Sequence, residues 1–158
     1  MASQTMDSPL GLLSVLATDV GVARLGWGAH AIAEPPKGLG GPSPLTARAV
    51  DQLTAYFAGS LRAFDLPLDI AGSDAQRRVC AQMSAIPFGD TTTYGAIART
   101  TALSAQAVGQ LCGGNPIPVI VPCHRVLGAT SLGGFSGDGG VETKVWLLRH
   151  EGAAGLLI

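Results

Sequence analysis

Two short apolar runs, Leu12–Ala17 and Val22–Trp27, flank Thr18-Asp19-Val20-Gly21, and this pattern predicts a β-hairpin. From Gly28 to Pro44 glycine and proline dominate, so an irregular surface loop is expected, with His30 a solvated histidine within it. Beyond it, Val50, Leu53, Thr54 and Phe57 recur at helical spacing, with Thr46 placed to cap the helix and Gly59 to end it. Leu66–Ile70 reads as a strand. A boundary is expected near residue 71, at Ala71-Gly72, after which Ser73 or Asp74 caps a helix carrying Ala75, Val79 and Met83 on one side.

Ile86-Pro87-Phe88-Gly89-Asp90 has turn chemistry. Thr93 then caps a short helix bearing Tyr94, Ile97 and Ala98, and Ser104 caps a second that runs to about Cys112. Two short helices so joined form either a helix-turn-helix or ordinary packed scaffold; the small residues Ala105, Ala107 and Gly109 would let the second helix approach a duplex closely. Val119-Ile120-Val121 predicts a short buried strand or extended segment that Pro122 terminates. Leu132–Gly140 is a glycine-rich loop around Phe135 and Ser136, suited to a lid or to a wall of backbone amides. A last helix begins near Val141, carries Trp146, Leu147 and Leu148, and stops at Gly152.

Composition bounds the function. The 158 residues are 47% hydrophobic, enough for a proper core in one domain or two small ones. Only 13% are charged, against about 25% in ordinary domains, and the net charge is −1, so no global positive field announces a nucleic acid. Any affinity for DNA must come from local geometry. The three cysteines, Cys80, Cys112 and Cys123, fall outside Cys-x-x-Cys spacing and their odd number argues against a disulfide framework, which favours a reducing, cytoplasmic setting. No four-ligand metal set is apparent, and neither a signal peptide nor a membrane-spanning run is expected. The glycine-rich stretches match neither a Walker loop nor a dinucleotide fingerprint.

The chemistry concentrates at Cys123. An arbitrary cysteine is more often inert packing, the reading given to Cys80 and Cys112. Cys123 differs because His124 and Arg125 put positive character directly beside it, and a thiol reacts as its thiolate. On a strand these neighbours would point to opposite faces, so a Cys123–His124 hydrogen bond needs a turn or a bridging water.

Pro122-Cys123-His124-Arg125-Val126, preceded by Asn115-Pro116, resembles the active-site motif of the O6-alkylguanine-DNA alkyltransferases. The resemblance continues through Ile86–Thr91, Tyr94-Gly95, Ala107-Val108-Gly109, Leu132–Gly137 and Lys144–Leu148, and covers nearly the whole chain. It implies an α+β fold. A small N-terminal antiparallel sheet with a helix, residues 1–71, would brace a mainly helical domain, residues 72–158, with a winged-helix-like helix-turn-helix. It also implies single-turnover repair without a cofactor. A monomer on double-stranded DNA would swing out an O6-alkylated guanine, and Cys123 would take the alkyl group, with O4 of thymine as a further donor. Residue by residue, His124 would deprotonate Cys123 through a water, Glu151 would orient the imidazole, Tyr94 would serve N3 of the base, and Asn115 would hold the turn. Val126 and Cys123 carbonyls, the Ser136 amide, Phe135 and Arg125 would meet the substrate; Thr93, Ser104, Ala105, Gln106 and Gly109 would face DNA. Plainer readings stand beside these: Tyr94 as a helix anchor, Asn115 as an Asn-Pro turn, Phe135 as packing, and Glu151 as a solvated carboxylate partnered by His150.

Several positions depart from that pattern. Gln106 stands where the family usually has an arginine finger, and Arg99 is the only formal charge between Thr91 and Asn115, so duplex binding should be weak and little dependent on salt. Ala75 and Cys80 replace aromatic residues, and two extra residues lie near Asp138 and Gly139. A lesion-binding, alkyltransferase-like protein without transfer is the main alternative, and a Cys-His hydrolase with turnover and an oxyanion hole a third.

Overall fold

The structure, a computed structural model, describes residues 1–28, 40–135, 137 and 139–153. His30, Ser136, Asp138 and most of the expected surface loop therefore lie outside the described residues. The chain falls into two compact units, Met1–Ala71 and Gly72–Ile158, and the architecture is α+β, an antiparallel sheet first and helices after it.

In the first unit, β1 (Ala2–Ser8), β2 (Gly11–Ala17) and β3 (Val22–Trp27) form an antiparallel sheet in that order. The hairpin pairs Leu13 with Trp27 and Ala17 with Val22, with a bulge between Leu16 and Ala17. Leu13–Ala17 is buried without alternation, and Ser14 within it donates to the Gly28 carbonyl at 2.6 Å, which satisfies its hydroxyl. No sequence signal marked β1. It is a largely polar strand that exists because β2 offers it a ladder from Ala2↔Ala17 to Ser8↔Gly11.

The helix α1 (Pro44–Phe57) begins two residues before the expected cap. Ser43 is the N-cap, and Thr46 completes a capping box by accepting from the Ser43 N–H at 2.8 Å. Pro44 suits the first helical position because its φ is preset and its missing N–H is not needed there. The buried stripe is Thr46, Ala49, Leu53 and Tyr56, so the expected face, with Val50, Thr54 and Phe57, is displaced by about one residue. Tyr56 carries the largest fully buried side chain there and takes Phe57 and Phe64 as ring neighbours at 5.3 and 5.4 Å. Leu66–Ile70 is not a strand: only Leu68 bridges to Val22, flanked by Val22 N–H to Pro67 O at 2.8 Å and Asp69 N–H to Val22 O at 2.8 Å. Pro67 has no N–H to continue the ladder. Gly21 permits this approach, because a Cβ there would lie 2.7 Å from Pro67 and Leu68 backbone atoms.

In the second unit, α2 (Asp74–Ser84) is capped by Ser73 and buries Gln76, Val79, Cys80 and Met83; Ala75, expected on that face, is half-buried. Gln76 donates to the Leu111 carbonyl at 2.8 Å and Arg78 to that of Thr101, which ties α2 to the two helices that follow. A two-residue parallel pair, β4 (Thr92–Thr93) with β5 (Val126–Leu127), leads into α3 (Tyr94–Thr101). After a left-handed Ala102, α4 (Ala105–Gly113) completes the helix-turn-helix. Thr93 and Ser104 cap these helices as expected, accepting from Ala96 N–H at 3.1 Å and Ala107 N–H at 3.0 Å. The last helix, α5 (Val141–His150), buries Lys144, Leu147 and Leu148, while Trp146 is half-buried and stacks on His150 at 5.0 Å. No helix among the described residues is long and apolar enough to cross a membrane.

Candidate active site

The run from Asn115 to Arg125 is a folded loop, and Val119–Val121 within it forms a turn rather than the expected short strand or extended segment. Its amide groups are satisfied locally: Asn115 Nδ2 donates to Val121 O at 2.9 Å, Asn115 Oδ1 accepts from Ile117 N–H at 3.0 Å, and Val121 N–H donates to Ile117 O at 2.8 Å. Pro116 and Pro118 have no N–H for a ladder, so a compact turn satisfies more groups than an extended segment would. The turn forces Val119 to φ +73°, a left-handed conformation that costs a β-branched residue about 1–3 kcal/mol. Asn115 and the buried side chains of Ile117, Val119 and Val121 hold it there.

The loop delivers Cys123-His124-Arg125 as one 3₁₀ turn, with Val126 N–H donating to Cys123 O. Adjacent side chains thus diverge by a helical rather than a strand angle, which resolves the geometric objection raised by an extended chain. All three residues are buried. Behind them, at the C-cap of α5, Glu151 is also buried and accepts from both neighbours of the thiol: His124 Nε2 at 2.7 Å, Arg125 Nε at 2.7 Å and Arg125 Nη2 at 2.9 Å. Arg125 also donates from Nη1 to the Ile86 carbonyl at 2.6 Å and lies 5.9 Å from the Phe88 ring.

This network fixes a tautomer. Glu151 is an acceptor paired with a guanidinium, so the hydrogen between it and His124 belongs to Nε2, and Nδ1 keeps its lone pair. Burial pushes the His124 pKa down, against the Glu151 hydrogen bond and charge that raise it; the imidazole is neutral at pH 7. Nδ1 is buried without a hydrogen-bond partner among the described residues, an available base on the residue next to the thiol.

The thiol opens into a cavity of about 490 Å³ lined by Tyr94, Gly109, Cys112, Gly113, Cys123, Gly134 and Phe135. Burial raises the Tyr94 pKa, so its hydroxyl is a donor at neutral pH. Gly133 makes room for that ring: at φ +72°, a Cβ there would lie 2.6 Å from the Tyr94 oxygen. Lys144, fully buried, donates from Nζ to Val126 O at 2.6 Å and Gly134 O at 2.9 Å.

The structure thus brings Cys123, Tyr94 and Phe135 to one cavity and puts His124, Glu151 and Asn115 immediately behind it. Glu151 is no solvated carboxylate, and His150 stacks on Trp146. Arg125, expected to meet substrate, is engaged by Glu151 and the Ile86 carbonyl and is not among the cavity-lining residues. Val126 offers a carbonyl already engaged by Lys144, leaving one lone pair for another donor. Gly109, expected on a DNA face, lines the cavity, whereas Ser104, Ala105 and Gln106 are exposed at the start of α4. Thr93 is half-buried at its cap. Two residues were missed as site residues: Cys112, a cavity-wall residue read only as packing, and Lys144, which no apolar pattern predicts to be buried and which bonds the Gly134 carbonyl of that wall.

Comparison with known proteins converges on one family. The 6-O-methylguanine DNA methyltransferase DNA-binding domain matches residues 74–153, and the ribonuclease-like domain of the same proteins matches residues 1–70. A methylated-DNA–protein-cysteine methyltransferase of Mycolicibacterium paratuberculosis is 40% identical over 163 residues, covering 94% of this chain and 90% of that protein. A DNA base-flipping protein of Thermus thermophilus is 40% identical, covering 94% and 98%. The crystal structure of Mycobacterium tuberculosis OGT in complex with DNA is similar at a TM-score of 0.85 and 39% identity, covering 96% of this chain and 93% of that one. With both halves matched and the reactive loop in place, the chain belongs to the 6-O-methylguanine DNA methyltransferase family.

Proposed function

We propose that this protein repairs alkylated DNA by transferring the alkyl group from O6 of guanine, and from O4 of thymine, to Cys123 in a single turnover. The observation that carries this reading is the buried Glu151–His124 pair, whose free Nδ1 sits on the residue next to a cavity-facing thiol. His124 takes the Cys123 proton through a bridging water, and Glu151 stabilises the imidazolium that forms, the nucleophile, base and orienter arrangement of covalent catalysis. The Cys123 sulfur attacks the alkyl carbon as its bond to O6 breaks. Tyr94 donates toward N3, so the purine leaves neutral. Asn115 holds the loop that presents Cys123. Phe135 lines the pocket, and the Cys123 and Val126 carbonyls meet the base edge.

The alkylated base reaches the cavity by leaving the duplex, at a cost of a few kcal/mol that is lower for a poorly paired lesion. Thr93, Ser104, Ala105 and Gln106 face the DNA, with Gln106 filling the gap. Residues 72–158 carry the chemistry and residues 1–71 brace them. The protein works as a monomer in the reducing cytoplasm.

The similarity to a DNA base-flipping protein supports a second reading, in which this chain marks lesions without removing them. Counting repaired bases separates the possibilities. A fixed amount of protein titrated with duplex containing O6-methylguanine should plateau at one repaired guanine per chain. Lesion-selective binding with no repair identifies a marker, and repair beyond one equivalent identifies a hydrolase.

A further inference from the structure

Charge around the thiol does not come from where the sequence places it. His124 is neutral, because burial outweighs its hydrogen bond to Glu151. Arg125 is compensated, since Glu151 meets it through two nitrogens. The Cys123–Arg125 turn and its C-terminal partner therefore carry no net positive charge. The charge that remains is on α5: Lys144 is fully buried, and no carboxylate pairs with it among the described residues. Its ammonium rests on two carbonyls, Val126 and Gly134, and lies 5.9 Å from the Tyr94 ring.

A buried ammonium supported by neutral groups alone is costly and gains from an anion nearby. Among the described residues, each ionisable group around it can be weighed. From α3, Tyr94 is held protonated by burial. From α4, burial pushes the Cys112 thiol up to about 12, so it too stays neutral. His124, Arg125 and Glu151 form the closed network described above. Cys123 remains, one hydrogen-bonded turn away: Lys144 bonds the Val126 carbonyl, and the Val126 N–H bonds Cys123 O, while the second acceptor of Lys144, Gly134, lines the cavity into which the thiol opens.

We propose that Lys144 is a positioning residue that supplies the positive charge against which Cys123 ionises, while His124 only carries the proton away. The inference rests on Cys123 being the alkyl acceptor. Burial lowers the Lys144 pKa to about 8, and negative charge at Cys123 opposes that lowering, so the two sites are coupled. Coupling of this kind is reciprocal: removing either charge shifts the titration of the other.

The test needs no DNA, so it fails or succeeds separately from the repair reaction. Carboxamidomethylation of Cys123 by iodoacetamide is followed across pH in the full chain, with the Cys123 peptide quantified by mass spectrometry. In Lys144→Met the reactivity midpoint should move up by about 1–2 pH units, roughly a tenfold to hundredfold loss of thiolate at pH 7, and Lys144→Arg should recover most of it. A midpoint within about 0.3 units of the parent's in Lys144→Met overturns the proposal. A second measurement uses the unaltered sequence. The chain has two lysines, Lys37 and Lys144, so the ¹³Cε signal of Lys144 can be titrated before and after capping Cys123 with the neutral carboxamidomethyl group. Its midpoint should fall on capping; an unchanged midpoint overturns the proposal even where Lys144→Met does not fold.

Discussion

Replacing Glu151 by glutamine should separate what the buried network does for the fold from what it does for the reaction. The change keeps shape and removes one negative charge from a group that accepts three hydrogen bonds, all within 2.9 Å. Arg125 is then left as a buried cation without a counter-charge, with one neutral amide oxygen at position 151, the Ile86 carbonyl and the Phe88 ring. Removing one partner of such a pair costs about 3–5 kcal/mol. At about 2–4 °C per kcal/mol for a chain of this size, thermal unfolding should drop on the order of 10 °C. The alkyl-transfer rate should also fall, by about a hundredfold, the lower end of what general acid–base catalysis contributes, because the imidazolium loses its anion. The double variant Glu151→Gln with Arg125→Met removes the orphaned cation and should regain most of the stability while leaving the rate low. Urea unfolding at pH 7 and single-turnover repair of an O6-methylguanine duplex measure the two quantities. A Glu151→Gln protein within 0.5 kcal/mol and twofold of its parent would refute the reasoning, as would a double variant that recovered both.

Asn115→Ala removes two side-chain hydrogen bonds and orphans the Ile117 N–H and one bond of the Val121 carbonyl in a buried loop that already carries the strain of Val119; a loss of about 2–4 kcal/mol is expected in urea unfolding, with slower transfer. Gly133→Ala puts a Cβ on the Tyr94 hydroxyl at a φ of +72°, and the repair rate should fall at least tenfold while a urea midpoint shows a smaller effect. The folded-state pKa of His124 lies below its ordinary value of 6.5, so the unfolded chain binds more protons beneath that pH; the contribution of this group should be flat above about 6.5 and decline below it, at up to about 1.4 kcal/mol per pH unit, in denaturant titrations from pH 7 to 5, below the range in which Lys144 titrates. Gln106 is exposed in the first turn of α4, and Gln106→Arg should raise the second-order rate on duplex DNA and steepen the log–log salt dependence by about 0.9, with no change on the free base.

Much of the fold was legible because local chemistry and packing agree. Ser73, Thr93 and Ser104 each precede an apolar stripe and each caps the helix it announces. Where they diverge, the reading slipped. Thr46 satisfies a cap signature, yet Ser43 with Pro44 behind it starts the helix earlier and shifts the buried stripe onto Ala49 and Tyr56. β1 has no apolar rhythm and depends on a partner strand. The Val119–Val121 run has strand composition, but the two prolines and Asn115 make a turn cheaper than a ladder. In the site, sequence adjacency suggested that Arg125 faces the reaction. Three dimensions give that side chain to Glu151, 26 positions away, and place Lys144, on another helix, beside Val126. Hydrophobic patterning cannot find a buried lysine, since its burial follows from two carbonyls that only the folded loops bring together.

The most direct measurement is the mass of Cys123 after reaction. Duplex DNA bearing one O6-methylguanine with an isotopically labelled methyl group is incubated with the protein, which is then digested and sequenced by mass spectrometry. One labelled methyl on the Cys123 peptide, absent in Cys123→Ser and never found on Cys80 or Cys112, is the predicted result. An unmodified Cys123 alongside repaired DNA, or a label on any other residue, would contradict transfer to this thiol.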